Sequence, residues 1–166
     1  VSEGDHFYCS GSVQLADHTI HCSRRQGHLD QDLAKAVGNS CNPAFMEIGK
    51  RLGKDKFYEY FEAFGLMENT GIDLPGEASL KGAIWAKEKM GEVELATASF
   101  GQRFEVTPLQ MICAFSAVIN GGDLVKPYIV QSVSSRDGTV LQNTEPEVVH
   151  QVISQQTSQR AADILE

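Results

Sequence analysis

Ser40-Cys41-Asn42-Pro43-Ala44-Phe45 is the stretch from which the rest of the chain can be read. Upstream of it, Leu29, Leu33, Ala36 and Val37 recur at helical spacing and run into Gly38-Asn39. Downstream, Phe45, Ile48 and Leu52 form a second apolar stripe closed by Gly53. Asn42 is a favoured N-cap and Pro43 suits the first helical position, so Ser40 to Asn42 is expected in a bend between two helices. Side chains alternate along an extended bend. Ser40 and Asn42 therefore present a hydroxyl and an amide to one side, with Cys41 turned into the packed interior. The bland reading of the same residues is that Ser40 ends one helix and Asn42 caps the next, with no chemistry attached.

Working outward, Asp55 caps a third helical pattern through Phe57, Tyr60, Phe61 and Phe64, with Gly65 just past its end. From Glu68 to Lys81, Asn69, Thr70, Gly71, Asp73, Pro75 and Gly76 mark an irregular loop, followed by Trp85 and a short helical run to Met90. Asp73 and Glu77, on either side of Pro75, read as loop and capping carboxylates rather than a catalytic pair. Ala96 to Gln102 is rich in small residues and suits close backbone packing. Thr107-Pro108-Leu109-Gln110 is a capping box with proline in the first turn. It opens a nearly uncharged helix to Asn120 that is expected to be central and buried on most sides. Tyr128 to Val130 and Thr139 to Leu141 flank Asp137-Gly138, a hairpin signature, and Ser154 caps a final helix still running at Glu166.

The 166 residues, 42% of them hydrophobic, suffice for one domain or one large piece of a domain. A formal net charge of −8 argues against a nucleic-acid partner, whose phosphates such a surface would repel. Neither a membrane-spanning run nor a signal-peptide pattern at Val1 to Asp5 is present in this stretch, so the anchor of any exported parent is expected outside it.

Of the four cysteines, Cys9 and Cys22 flank a segment whose alternation around Ala16-Asp17-His18 reads as a small hairpin. Either a disulfide or two half-buried thiols satisfies that pattern. A zinc reading of Cys9, His18, His21, Cys22 and His28 is disfavoured because no Cys-x-x-Cys or His-x3-His pair occurs, and no metal is assigned. His28 reads as a hydrogen-bonded structural histidine. Cys113, within an apolar stripe, reads as a small core residue, and Cys41 lacks the visible histidine partner a thiol nucleophile needs.

In their order and spacing, several landmarks together resemble the transpeptidase domain of class B penicillin-binding proteins, particularly the sporulation and septation branch. They are Phe7-Tyr8-Cys9-Ser10-Gly11, Ile20-His21-Cys22, Gly27-His28, Ser40-Cys41-Asn42-Pro43, Thr70-Gly71-Ile72-Asp73-Leu74-Pro75-Gly76-Glu77, Ser99-Phe100-Gly101-Gln102, Val106-Thr107-Pro108-Leu109-Gln110 and Asn120-Gly121-Gly122. Ser-x-Asn is one of three motifs that active-site serine enzymes of this kind assemble, the others being Ser-x-x-Lys and Lys-Thr-Gly. Neither of those two occurs here.

The resemblance implies an internal fragment, mainly α with small β-hairpins (α+β): a helical subdomain of a β-lactamase/transpeptidase-like fold without its central five-stranded sheet. Along residues 1–166 it implies a hairpin region at 1–28, helices carrying Ser-x-Asn at 29–67, a loop-rich segment at 68–106, a central helix at 107–122, and a hairpin with a final helix at 123–166. By the same resemblance, Ser40 relays a proton between the catalytic lysine and the leaving nitrogen. Asn42 bonds that lysine and the substrate amide, and Cys41 stands where many relatives carry aspartate. The parent would cross-link D-alanyl-D-alanine stem peptides through an acyl-serine, be acylated by β-lactams, need no cofactor, and work membrane-anchored on the extracytoplasmic face. The fragment itself is expected to be inactive and to self-associate. The competing reading is a non-catalytic β-lactam sensor or a Cys/His-stabilised binding module.

Overall fold

The structure, a computed structural model, describes residues 1–78, 84 and 86–165. Trp85 and the end of the loop expected to run to Lys81 lie outside the described residues. The chain divides into two compact units, the first built from Val1–Glu59, Gly82–Glu105 and Ala162–Glu166, the second from Tyr60–Lys81 and Val106–Ala161.

In the first unit, strand β1 (His6–Cys9) pairs antiparallel with β4 (Leu29–Asp32), and β2 (Ser12–Leu15) forms a hairpin with β3 (His18–His21). The hairpin follows the alternation of its residues: Val13 sits opposite Ile20, and Ala16 turns the chain at φ 49°. Helix α1 (Leu33–Gly38) starts later than its apolar spacing suggests. Residues 29–32 are taken by the ladder with β1, and Asp32 caps α1 by accepting from the Lys35 N–H. Helix α2 (Asn42–Ala63) contains a break at Gly53, whose φ of 77° and ψ of 157° are not helical, so the two stripes read on either side of that glycine stay distinct. Helix α3 (Glu92–Ala98) packs on α2 closely enough that a Cβ on Gly49 would lie 1.8 Å from Ser99 Oγ. The core of this unit is Phe7, Cys9, Cys22, Ala36, Cys41 and Ala44, flanked by Leu33 and Ile48.

In the second unit, helix α4 (Pro108–Ile119) begins with the expected capping box: Gln110 N–H donates to Thr107 Oγ1 and Gln110 Oε1 accepts from Thr107 N–H. Strand β5 (Asp123–Val125) pairs with β8 (Val148–Gln151), and β6 (Ser132–Ser134) with β7 (Val140–Asn143) around Asp137-Gly138. The first strand of this hairpin lies beyond Tyr128–Val130 because the Asp73 carboxylate accepts the Ile129 and Val130 N–H groups. Ser154 caps helix α5 (Gln155–Leu165).

Two expectations are corrected. Helix α4 is not buried on most sides: Cys113, Ala114 and Ala117 are buried, but Ile112, Phe115 and Ile119 are exposed on the opposite face. The mainly α helical subdomain also fails as a description. With about 38% helix, 20% strand and four small antiparallel sheets among the described residues, the architecture is α+β and not a lone helical subdomain. Helical periodicity is easy to see in sequence, whereas strands of three or four residues paired across long separations leave almost no periodic trace.

Candidate active site

Ser40, Cys41 and Asn42 do lie between two helices, but the backbone there is not an extended bend. Ser40 N–H donates to Val37 O at 2.9 Å and Cys41 N–H to Ala36 O at 3.0 Å. With Asn39 as C-cap and Ser40 at φ 47°, this is a Schellman ending of α1, and Ala36 and Cys41 make its accompanying apolar contact inside the core. The left-handed position in such a motif normally goes to glycine, since a Cβ there costs roughly 1 kcal/mol. A serine held at that position is backbone strain of the kind that clusters at functional sites.

The chain then enters α2, and Phe45 N–H donates to Cys41 O at 3.1 Å. Asn42 is thus the first helical residue rather than the cap. Its Nδ2 donates to His21 O at 3.0 Å, tying the start of α2 to the end of β3. Ser40 is exposed, Cys41 fully buried and Asn42 partly buried, so the flanking polar groups face outward while the thiol anchors the turn. A cavity of about 610 Å³ within the first unit is lined by Phe7, Val13, Pro43, Met46 and Arg51 among others and includes neither Ser40 nor Asn42.

The four cysteines are free thiols. Cys9 and Cys22, flagged for their spacing, are both buried and come together with two further side chains: the donor atoms of Cys9, Cys22, His28 and Cys41 all lie within 4.8 Å of one another. His18 and His21 are not in this group. Two glycines make the convergence sterically feasible. A Cβ on Gly11 would sit 2.0 Å from Arg25 O, and one on Gly27 would sit 2.1 Å from Cys9 O, so the loop carrying Cys22 and His28 lies directly against the end of β1. Cys22 Sγ is 3.6 Å from His28 Nδ1. Burial pushes the Cys22 thiol up, but the Arg24 and Asn42 N–H groups, with the Cys9 and Ser23 side chains, outweigh it and leave the thiol below its ordinary value. Burial drives the Cys41 thiol up to about 12, which removes it as a nucleophile. The set weighed from the sequence contains Cys9, Cys22 and His28 but lacks Cys41, which reads there as a packed thiol. Cys41 lies 13 residues past His28 with no metal-binding spacing to connect them, and Gly11 and Gly27 are the sequence signals of a close approach.

In the second unit, two carboxylates clamp the loop. Glu77 accepts from Thr70 N–H at 2.6 Å, Thr70 Oγ1 at 2.7 Å and Gly71 N–H at 3.1 Å, while Asp73 accepts from the Ile129 and Val130 N–H groups. The Thr70 hydroxyl lowers the Glu77 pKa, and the Val130 and Ile129 N–H groups lower that of Asp73. Their partners are loop backbone and the Thr70 hydroxyl, so both carboxylates hold the loop, in place of the helix-capping duty expected from the sequence.

An α+β fold with a strained Ser-x-Asn turn between two helices is what these features define. The chain matches the family described as the penicillin binding protein transpeptidase domain over residues 2–166, and it belongs to that family. It is 40% identical over 163 residues to the stage V sporulation protein D of Bacillus subtilis, covering 98% of this chain and 25% of that protein. It is 28% identical over 155 residues to the penicillin-binding protein PbpB of Mycobacterium tuberculosis, covering 93% of this chain and 22% of that one. Among solved structures, penicillin binding protein 3 of M. tuberculosis complexed with aztreonam superposes with a TM-score of 0.87 at 27% identity, covering 99% of this chain and 36% of that one. The D,D-transpeptidase domain from Eggerthella lenta gives 0.85 at 25% identity, covering 99% and 43%. The chain thus spans about a quarter of the length of the curated relatives it matches.

Proposed function

We propose that this chain is the part of a peptidoglycan D,D-transpeptidase that contributes the Ser-x-Asn turn, and that the whole protein cross-links stem peptides through an acyl-serine and is acylated by β-lactams at the extracytoplasmic face of the membrane. The observation that carries the reading is the strained, exposed Ser40 beside an Asn42 whose amide is already oriented. A primary amide has two N–H donors and a carbonyl acceptor. With one N–H held by His21 O, Asn42 keeps the other for a substrate carbonyl and Oδ1 for an ammonium group. Ser40 Oγ can both accept and donate, as a proton relay to a departing amine must. Nucleophile, lysine and oxyanion donors suffice for acyl transfer, so the chemistry calls for no cofactor.

The residues that would supply the nucleophile and the Lys-Thr-Gly strand are not in this sequence. The 166-residue chain alone is therefore expected to remain unlabelled by a fluorescent penicillin, and the full gene product to label at one serine. Asn42→Ala in the full product should cut the acylation rate by roughly 100-fold or more, the scale of losing a group that positions charge in the transition state. Labelling of the isolated chain, or an unchanged rate in Asn42→Ala, would overturn the reading. A second reading, a non-catalytic β-lactam sensor or a Cys/His-stabilised binding module, draws on the Cys9–Cys22–His28–Cys41 group. The sensor predicts acylation without turnover of a stem-peptide substrate, and the binding module predicts no acylation of the full product.

A further inference from the structure

We propose that Cys9, Cys22, His28 and Cys41 form a structural zinc site of three thiolates and one imidazole, and that the ion holds the Ser40–Asn42 turn in place. Four donors of the type zinc prefers converge on one point, with all separations within 4.8 Å and Cys22 Sγ to His28 Nδ1 at 3.6 Å. A tetrahedral ion with Zn–S near 2.3 Å and Zn–N near 2.0 Å spaces its donors roughly 3.5–3.8 Å apart, so only a small contraction is needed. Soft thiolates in a closed tetrahedron favour zinc over magnesium or calcium, and four protein donors leave no open position, as in a structural rather than a catalytic centre. A disulfide would use two of the three sulfurs and leave the third thiol and the imidazole unexplained.

The Gln31 side chain lies beside Cys41. Gln31 is 2% exposed and its Nε2 is buried without a hydrogen-bond partner, although its Oε1 accepts from Asn39 Nδ2. An orphaned buried N–H next to a thiol is costly, but next to a metal-bound thiolate it gains an acceptor. Loading is proton-balanced: Zn²⁺ enters, and each of the three thiols gives up its proton to solvent. The site comes from β1, the loop before β4 and the residue between Ser40 and Asn42. Binding therefore adds a further link among three segments already joined by the β1–β4 ladder, by Cys22 N–H donating to Gly11 O at 2.9 Å and by the Asn42–His21 bond.

The test is metal analysis of the reduced chain after equilibration with zinc and dialysis. One zinc per chain is expected, along with the thiolate-to-cobalt charge-transfer band of a tetrahedral site when cobalt replaces it. His28→Ala and Cys22→Ser should each lose stoichiometric zinc, whereas Cys113→Ser, in the other unit, should keep it. Gln31→Leu, which retains the ligands, should weaken zinc binding by roughly 10- to 100-fold. Chelation should raise amide exchange across residues 36–44 and leave residues 108–119 unchanged. Absence of zinc from the reduced wild-type chain would overturn the proposal even if the cysteine variants fail to fold. So would unchanged zinc in His28→Ala, exchange at 36–44 indifferent to the metal, or a Cys9–Cys22 disulfide in protein isolated from zinc-replete cells. None of these readouts depends on the transpeptidase reading.

Discussion

At the scale of the residue, Ser40 is where stability and chemistry pull apart. It occupies the left-handed position of the Schellman turn, where glycine would relieve backbone strain without disturbing the Val37 and Ala36 acceptors. Ser40→Gly should therefore stabilise the fold by about 1 kcal/mol in denaturant unfolding while removing acylation in the full gene product. Ser40→Ala should remove the same chemistry with little change in stability. If Ser40→Gly were destabilising by a similar amount, the strain argument would fail. Cys41, one residue on, has the opposite character: fully buried, protonated at neutral pH as a free thiol and packed on Ala36, it holds its neighbours outward. The bland reading of Ser40 as a helix end is thus correct in part, but a residue chosen only to end α1 would be glycine or asparagine.

At the scale of the element, the contact between α2 and α3 depends on the absence of one side chain. Gly49 is buried where a Cβ would meet Ser99 Oγ at 1.8 Å and Ser99 Cβ at 2.7 Å, and Ser99 Oγ is itself fixed by donating to Leu95 O. Gly49→Ala gains helix propensity worth roughly 1 kcal/mol yet overpacks the interface by an expected 1–3 kcal/mol, so net destabilisation should result. Adding Ser99→Gly should recover most of the loss, because both clashing atoms leave with it. Thermal unfolding of the two single variants and the double variant closes the cycle, and additive losses would show that the contact is not the cause. The small residues from Ala96 to Gln102 are legible in sequence as a close-packing surface. Their partner is not, since nothing in the periodicity of α2 marks Gly49 as the point of approach.

For the whole molecule, acid sensitivity should be shared by both units, since Asp5, Asp32 and Asp55 in the first and Asp73, Glu77 and Asp137 in the second all have pKa values below the ordinary carboxylate range. Hydrogen bonds from Val130 and Ile129 lower the Asp73 pKa, those from Thr70 and Gly71 lower that of Glu77, and the Ser135 hydroxyl with Thr139 takes Asp137 down to about 2. A carboxyl whose folded pKa lies below its unfolded value adds stability that is fully present above the unfolded pKa, near 4, and is lost as pH falls through the folded value. Stability should thus be flat from about pH 7 to 5 and decline below about pH 4. Asp73→Asn and Glu77→Gln should each lower stability at neutral pH and flatten that decline in urea melts taken across the range. A decline of unchanged steepness in the double variant would place the acid sensitivity elsewhere.

What the amino-acid order determined by itself is local. The capping box at Thr107, the cap at Ser154, the break at Gly53, the hairpin around Ala16-Asp17 and the Ser-x-Asn turn are all written in neighbours a few residues apart, because capping and turn chemistry act over that range. Tertiary structure decided what depends on distant partners. Residues 29–32 become a strand because β1 lies beside them, α4 exposes Ile112, Phe115 and Ile119, and short antiparallel pairs make the fold α+β. The gathering of Cys9, Cys22, His28 and Cys41 is of the same kind. Cys9, Cys22 and His28 can be weighed together in the sequence, but no short metal-binding spacing announces them and Cys41 is not among them, while the close backbone approach at Gly11 and Gly27 depends on the folded chain.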